Sequence, residues 1–439
     1  MIREAPHVLY IAWGFPPSRG SGVYRALATA NALVDAGFRV TVLTCEREAF
    51  YRYTLADPTL ESRIDSRVEV VRIPFEWPVM DFDVRRWDRD RARHPRAWTL
   101  RRVEEDQKGF PEANYGSWLE PLVAAARSIH ARDPIQLTVA TANPNVSVGA
   151  AHRLHGELGI PFVLDQRDSW TVDVFDGTEN PNPRVHEFEA AFVADALEVW
   201  FVNEPLRADY AERYPASADR IFSVPNGYDP GLAPEPVLHA ADPARPLTYG
   251  YLGTLTPKVP LVAFRDGWRA ARARGGEVAN AEAKLWGHLG FFAVKDAALA
   301  QLLEESDDGV HYAGPVEKAA VRTVFEEIDV LLLIIGAGRY VTSGKVYEYM
   351  ASALPIVSVQ EPGGDSARVL EGYPLWFPAA DLTPEGIAQA LEDAGRAARE
   401  ADESVRRQCA AHAEQYERSR QFAPRMAVLF DAVAVEEGS

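Results

Sequence analysis

Cysteine is nearly absent: Cys45 and Cys409 are the only two in 439 residues, and neither belongs to a C-x-x-C pair. A disulfide framework is excluded, and a reducing, cytoplasmic setting is expected. Long apolar runs are missing too. The longest wholly apolar stretch, Val330 to Ile335, is far below the roughly 20 residues of a membrane-spanning helix. Val8 to Phe15 is apolar, but Pro16 and Pro17 follow it without a small-residue cleavage site, so a strand is expected there and a signal peptide is not. Positive charge is in deficit, with 46 Lys and Arg against 64 Asp and Glu for a net −18, which disfavours a nucleic-acid partner. What the chain does have is ordinary globular composition, 47% hydrophobic and 25% charged, over a length that calls for two cores.

Apolar periodicity divides the chain into strands and helices in alternation. His7 to Ala12 reads as a strand, a Gly/Pro/Ser-rich loop follows, and Val23 to Ala36 has helical spacing that stops at Gly37. Further strands are predicted at Arg39–Thr44, Val68–Ile73, Gln136–Thr141, Phe162–Asp165 and Val199–Val202, with helices at Trp118–Ala131, Val146–Leu158 and His186–Leu197. Residues 231 to 246 are rich in Pro and Ala and read as a linker. The rhythm then restarts with strands at Leu247–Leu252, Ala283–Trp286, Val310–Tyr312 and Asp329–Ile335, and helices at Leu261–Ala273 and Lys318–Glu327. After Thr383 the chain reads as helical almost to its end. Such alternation implies parallel βαβ units in an α/β fold, with ligands beyond the carboxyl ends of the strands and the main site expected between the two halves.

Two clusters carry candidate chemistry. At Arg19-Gly20-Ser21-Gly22 small residues open the first helix, with Ser21 as the expected N-cap, and let backbone N–H groups approach an anion; a plain strand-to-helix turn is the alternative. Arg25 stands where a dinucleotide fingerprint would need its third glycine, which weakens a nicotinamide reading, and with Gly20, Ser21, Gly22 and Arg167 it is a candidate for an acceptor or phosphate loop. The second cluster follows the apolar strand ending at Ile335: Gly336-Ala337-Gly338-Arg339-Tyr340-Val341-Thr342-Ser343-Gly344-Lys345, then Val346 to Ala351. Ser343 is the expected cap. Lys345 then falls in the first helical turn, where a cation opposes the macrodipole unless a phosphate sits at the same end, and Glu348 lies one turn on, placed to accept from ribose hydroxyls. A simple i,i+3 surface pair is the alternative.

These residues resemble the C-terminal signature of family 4 retaining glycosyltransferases and their relatives of the GT-B fold. The resemblance covers nearly the whole chain. It rests on GFPPSRGSGVYRALATANALVDAGFRVTVLT, TANPNVSVGAAHRLHGELGIPFVLDQRDSW and RIFSVPNGYDP in the first half, and on YGYLGTLTPK, VHYAGPVEKAAVRTVFEEIDVLLL and SGKVYEYMASALPIVSV in the second. It implies two facing Rossmann-like doubly wound domains with a C-terminal helix crossing back: residues 1–230 for the acceptor, with about 418–439 packing on them, and 247–417 for a nucleotide-sugar donor. It also implies sugar transfer with retention and without a metal or other cofactor.

Carried over, Glu348 matches the second glutamate of the family's Glu, seven residues, Glu motif, which holds the donor ribose. The first glutamate falls on Tyr340, a departure that leaves backbone N–H groups of the Gly338–Thr342 loop to meet the donor sugar. After the strand ending near Gly253, the family's arginine position is Thr254 and its lysine is Lys258, so the cationic clamp is Lys258 with Lys345. Gly314 and Val316 fall in the loop that resembles the family's nucleobase contact. Charge growing on a departing diphosphate is what such cations stabilise.

Asp165-Gln166-Arg167-Asp168 ends a buried-looking strand, and Arg167 and Asp168 are candidates for acceptor contact or a base; the alternative is an Arg167–Asp168 pair tying loops together. Asp81-Phe82-Asp83 and Asp88-Arg89-Asp90 match the D-x-D spacing of metal-dependent transferases by letter, and are assigned to a solvated insert. His152 and His155 lack a third ligand for zinc. The arginine-rich stretch 85–102 has acids that nearly cancel its bases, so it is expected to shape an acceptor site and not to hold a membrane. The partners expected are therefore a nucleotide-sugar donor and a small soluble acceptor, with no nucleic acid and no stable membrane attachment. An epimerase or phosphorylase on the same fold, and a non-catalytic sugar-nucleotide sensor, stay open.

Overall fold

The structure, a computed structural model, describes residues 5–54, 56–290, 301, 303, 308–316, 320–336, 338 and 340–436. The chain divides into two units. The first comprises residues up to Asp173, Gly177–Pro225 and the chain from Phe422 on; the second comprises Val174–Asp176 and Asn226–Gln421.

The first unit holds β1 (His7–Ile11), α1 (Val23–Asp35), β2 (Arg39–Cys45), α2 (Arg47–Tyr53), β3 (Val68–Ile73), α3 (Arg89–Arg93), α4 (Pro95–Gly109), α5 (Leu119–Arg132), β4 (Leu137–Thr141), α6 (Val146–Leu158), β5 (Phe162–Gln166), α7 (Pro183–Asp195), β6 (Glu198–Phe201), α8 (Glu204–Arg213) and β7 (Ile221–Ser223). Its seven strands are all parallel, in the order β3-β2-β1-β4-β5-β6-β7. Strands β1, β4, β5 and β6 are buried along their whole length, as expected of parallel strands covered on both faces. Strand β2, although its residues alternate as RVTVLT, is likewise buried from Val40 on. Thr41 and Thr44 are buried and bonded, Thr41 Oγ1 to Glu69 Oε2 at 3.1 Å and Thr44 Oγ1 to the Trp13 carbonyl at 3.0 Å.

The second unit holds β8 (Thr248–Leu252), α9 (Leu261–Arg274), β9 (Glu282–Trp286), β10 (Val310–Gly314), α10 (Val321–Glu326), β11 (Val330–Ile334), α11 (Lys345–Ala351), β12 (Ile356–Val359), α12 (Asp365–Leu370), β13 (Trp376–Pro378), α13 (Pro384–Glu400) and α14 (Glu403–Glu414). Six parallel strands run in the order β10-β9-β8-β11-β12-β13. Of the helix expected at Lys318–Glu327, Val321–Glu326 is helical, while Lys318 and Ala319 lie outside the described residues. Strands β7, β12 and β13 are each four residues or fewer, too short to show a period in the sequence. The last helix, α15 (Arg418–Glu436), places Phe422, Met426, Leu429 and Val433 in the core of the first unit, against Val8, Tyr10 and Leu33 among others. Residues 231–246 run along the second unit, where the Val237 amide donates to the Ser352 carbonyl and the Ala241 amide to the Ala398 carbonyl, both at 2.8 Å.

Candidate functional site

In each sheet the strand order reverses once, between β1 and β4 and between β8 and β11, and the loops leaving those strands flank the opening where open α/β sheets bind ligands. The second unit's site is built there. Strand β8 ends in Tyr251, Leu252 and Gly253, while α11 begins after β11 with Lys345. The Lys345 ammonium donates to the Tyr251 hydroxyl at 2.8 Å and lies 4.0 Å from the centre of that ring. The hydroxyl in turn donates to the Thr254 carbonyl at 3.0 Å. Gly253, at φ +148°, is required here, since a Cβ would stand 2.3 Å from Lys345 Nζ. One turn along, the buried Tyr349 hydroxyl accepts the Leu252 amide at 2.9 Å, so two side chains of α11 are tied to the end of β8. Burial pulls the Lys345 pKa down to about 7, with Glu348 pulling the other way.

Lys258 lies on the next loop. It is exposed, and its ammonium sits 3.5 Å from the centre of the Phe175 ring. Gly336 crosses directly over the Lys258 carbonyl, where a Cβ would come within 2.4 Å of the oxygen, and Gly338, at φ +152°, passes against Val174 and Phe175. The loop after β11 is thereby held close to Lys258. Its far end is pinned to α12: Thr342 Oγ1 donates to the Asp365 carboxylate, which Arg368 also holds at 2.6 Å, and the Ser343 amide donates to Ser366 Oγ at 3.3 Å.

Ser343 does not cap α11. Gly344 is the capping residue and no side chain closes the end, because Ser343 is turned to α12. Gly314, at φ +80°, closes β10 and accepts the Gly287 amide at 2.9 Å, while Val316 packs against the core. Gly253, Thr254, Lys258, Gly314, Val316, Gly338, Tyr340, Thr342, Gly344, Lys345 and Glu348 thus all follow the carboxyl ends of β8, β10 and β11. Ala337 and Arg339 lie outside the described residues. The Tyr251 hydroxyl and the Asp365 anchor went unnoticed in the sequence; YGYLG showed a strand, and nothing in it marks one tyrosine as a lysine's partner.

In the first unit, Gly20 and Ser21 are exposed and Gly22 caps α1 without a side-chain bond, which corrects the expected Ser21 cap. The reason is room: a Cβ on Gly22 would stand 1.9 Å from Arg167 Nη1, so the guanidinium occupies the turn. Arg167 donates to the carbonyls of Ala142 and Asn143 at 3.3 and 3.2 Å. Exposed Asp168 is held not by Arg167 but by Asn143 Nδ2 at 2.8 Å. Gly22, Asn143, Arg167 and Asp168 therefore form one cluster past the ends of β1, β4 and β5.

Arg25 does not join that cluster, contrary to its assignment to the phosphate loop. It is buried, grips Asp165 through Nε and Nη2 at 2.7 to 3.0 Å, donates to the Val224 carbonyl at 2.9 Å and lies over the Phe422 ring. The N-terminus of α6 is closed as well, because the Glu112 carboxylate accepts the amides of Asn145 and Val146 at 2.8 and 2.7 Å, and burial raises its pKa to about 7.

The D-x-D stretch is corrected too. Asp81 is buried and not solvated: it pairs with Arg52, with Arg86 at 3.9 Å, while Asp83 pairs with Arg85 at 2.8 Å. The Arg85 guanidinium holds Asp83 down to about 2. Arg91 lies between the rings of Trp87 and Trp98 and donates to the Asp81 carbonyl at 2.8 Å. His152 bonds Asp195 at 2.9 Å and His155 the Ile160 carbonyl at 3.1 Å.

No family model matches the chain, and no curated protein does. Solved structures do. A glycosyltransferase from Rickettsia africae ESF-5 is 9% identical with a TM-score of 0.65, covering 100% of both chains. The α,α-trehalose 6-phosphate synthase of Burkholderia multivorans is 17% identical with a TM-score of 0.62, over 100% of this chain and 99% of that one. Anabaena HepE, solved in complex with UDP, is 12% identical with a TM-score of 0.60, over 97% of this chain and 100% of that one. At such identities the likeness is one of fold. The fold is GT-B, with two Rossmann-like units built on parallel sheets of seven and six strands.

Proposed function

We propose that this protein is a glycosyltransferase that binds a nucleoside diphosphate sugar on its second unit and moves the sugar to an acceptor held by the first. The observation that carries the reading is that Lys345 and Glu348, at the start of α11, and Lys258, on the loop after β8, all follow the carboxyl ends of the paired strands β8 and β11. Lys345 and Lys258 meet the diphosphate, and Glu348 accepts from the ribose. As the glycosidic bond breaks, charge collects on the leaving diphosphate, and two fixed ammonium groups stabilise it more than they stabilise the bound donor. Backbone amides of the loop at Gly338 and Tyr340 take the place of the family's first glutamate toward the sugar. Asp168, exposed and oriented by Asn143, receives the acceptor hydroxyl.

The reaction proceeds with retention, as the resemblance to retaining transferases implies, and without a metal, a reading supported by the Asp81 and Asp83 carboxylates being already paired with arginines. The GT-B likenesses support the class, and the complexes of HepE with UDP and UDP-glucose support the choice of nucleotide to try first. No helix among the described residues is long and apolar enough to cross a membrane. The acceptor in this reading is small and soluble.

Thermal-shift screening against nucleoside diphosphates, followed by turnover with the matching sugar nucleotides before and after exhaustive chelation, tests the reading. Stabilisation by none of them refutes donor binding; loss of turnover on chelation, restored by magnesium or manganese, refutes the metal-free mechanism. A second reading comes from a putative UDP-N-acetylglucosamine 2-epimerase from Listeria monocytogenes, 10% identical with a TM-score of 0.56. Conversion of the donor sugar with no acceptor present would select it.

A further inference from the structure

The first unit has a cleft that the donor chemistry does not use. It opens beyond the carboxyl ends of β2 and β3, with α2 on one side and the turn from Met80 to Arg86 on the other, and has a volume of about 640 Å³. That is ample for a small molecule. Two aromatic side chains on its lining are left in water, Tyr51 at 58% and Phe82 at 73% exposure. Beneath them the floor is polar and built: the Asp81 side chain is only 7% exposed, Arg52 bonds it, and Arg86 lies 3.9 Å from Asp81 and 3.7 Å from Asp83.

The charges narrow the occupant. Glu48, Asp81 and Asp83 face Arg52 and Arg86, and Arg85, outside the lining, pairs with Asp83, so three carboxylates stand against three guanidinium groups. A phosphate or other anion meets arginines already paired with neighbouring carboxylates. A divalent cation meets aspartates already held by arginines. A wholly apolar ligand would cover these charged groups without offering them partners. A neutral sugar ring satisfies all of them at once, since its C–H face packs on an aromatic side chain while its hydroxyl rim both donates to carboxylates and accepts from guanidinium groups.

We propose that this cleft binds a neutral saccharide, with Tyr51 and Phe82 as stacking platforms and the Arg52–Asp81 pair as the polar floor. The acceptor would then itself be a sugar or a glycoside. That role rests on the transferase reading; the binding does not.

The full-length protein should be applied to a glycan array, the retained glycan titrated by calorimetry, and the titration repeated with Tyr51→Ala/Phe82→Ala and with UDP. Both substituted side chains are exposed, so the variant keeps its fold. Retention of a neutral glycan, at least a tenfold weaker affinity in the double variant and unchanged UDP affinity are expected. Retention of no glycan overturns the proposal, and so does a glycan bound equally well by the double variant. An anilinonaphthalene sulfonate signal that the double variant loses, with no glycan retained, would assign the cleft to an apolar ligand instead. UDP binding without glycan binding sinks the cleft alone, whereas glycan binding without UDP binding sinks the donor site and leaves the cleft standing.

Discussion

Raising the pH should weaken donor binding through Lys345. In the free protein, burial beside Tyr251 and Tyr349 lets this lysine keep its proton only below about pH 7, against an ordinary value of 10.5. A bound diphosphate brings negative charge to the ammonium and restores the protonated form, so at about pH 8 binding takes up close to one proton. The sign follows from the two states. Above pH 7 the free protein has lost the proton that the complex holds, so affinity falls as pH rises.

If the complex keeps its proton throughout, the loss between pH 7.5 and 9 is roughly twenty-fold, about 2 kcal/mol. The two tyrosines beside this lysine do not compete, because burial pushes Tyr251 and Tyr349 far above their ordinary range. Calorimetric titration of UDP in buffers of different ionisation enthalpy measures the proton directly. Lys345→Met should bind more weakly at pH 7 and show a flat profile above it. A wild-type titration with no proton uptake at pH 8, or the same pH profile in Lys345→Met, would refute the reasoning.

Three further outcomes are expected. Glu348→Ala should weaken UDP binding by roughly 1.5–3 kcal/mol, the scale of a hydrogen bond to a charged group, with an unchanged melting temperature; equal affinity would return Glu348 to a surface role. Lys258→Ala should lower turnover more than donor affinity, because the charge it faces grows as the bond breaks, and an affinity loss with unchanged turnover would remove it from the leaving-group role. Arg25→Met leaves Asp165 buried without its partner and should destabilise the first unit by about 3–5 kcal/mol in urea denaturation, with Arg25→Met/Asp165→Leu recovering most of the loss; a near-neutral single variant would show that the pair carries little.

Strand and helix identity in the central parts of both sheets was legible in the sequence. A strand such as VLLLI at β11 is buried on both faces and reads as a continuous apolar run, and helices such as α6 carry their period in their own residues. The glycine loops were legible as well, since tight turns admit few other residue types. The short strands β7, β12 and β13 escaped, because three or four residues cannot establish a period, whereas the equally short β6 was legible as the apolar run Val199–Val202.

The site divides in the same way. That Lys345 and Glu348 begin a helix after an apolar strand is a local fact, written in consecutive residues. That Lys345 reaches Tyr251, 94 positions away, and loses its proton near neutrality depends on β8 and β11 being neighbours in the sheet, which no local pattern states. Arg25 and Asp81 make the converse point. By residue type and position both suited a ligand, one at a phosphate loop and one in a metal motif. Each is instead consumed by a distant partner, Asp165 at 140 positions and Arg52 at 29, because a buried charge must be paired and only the folded chain decides with what.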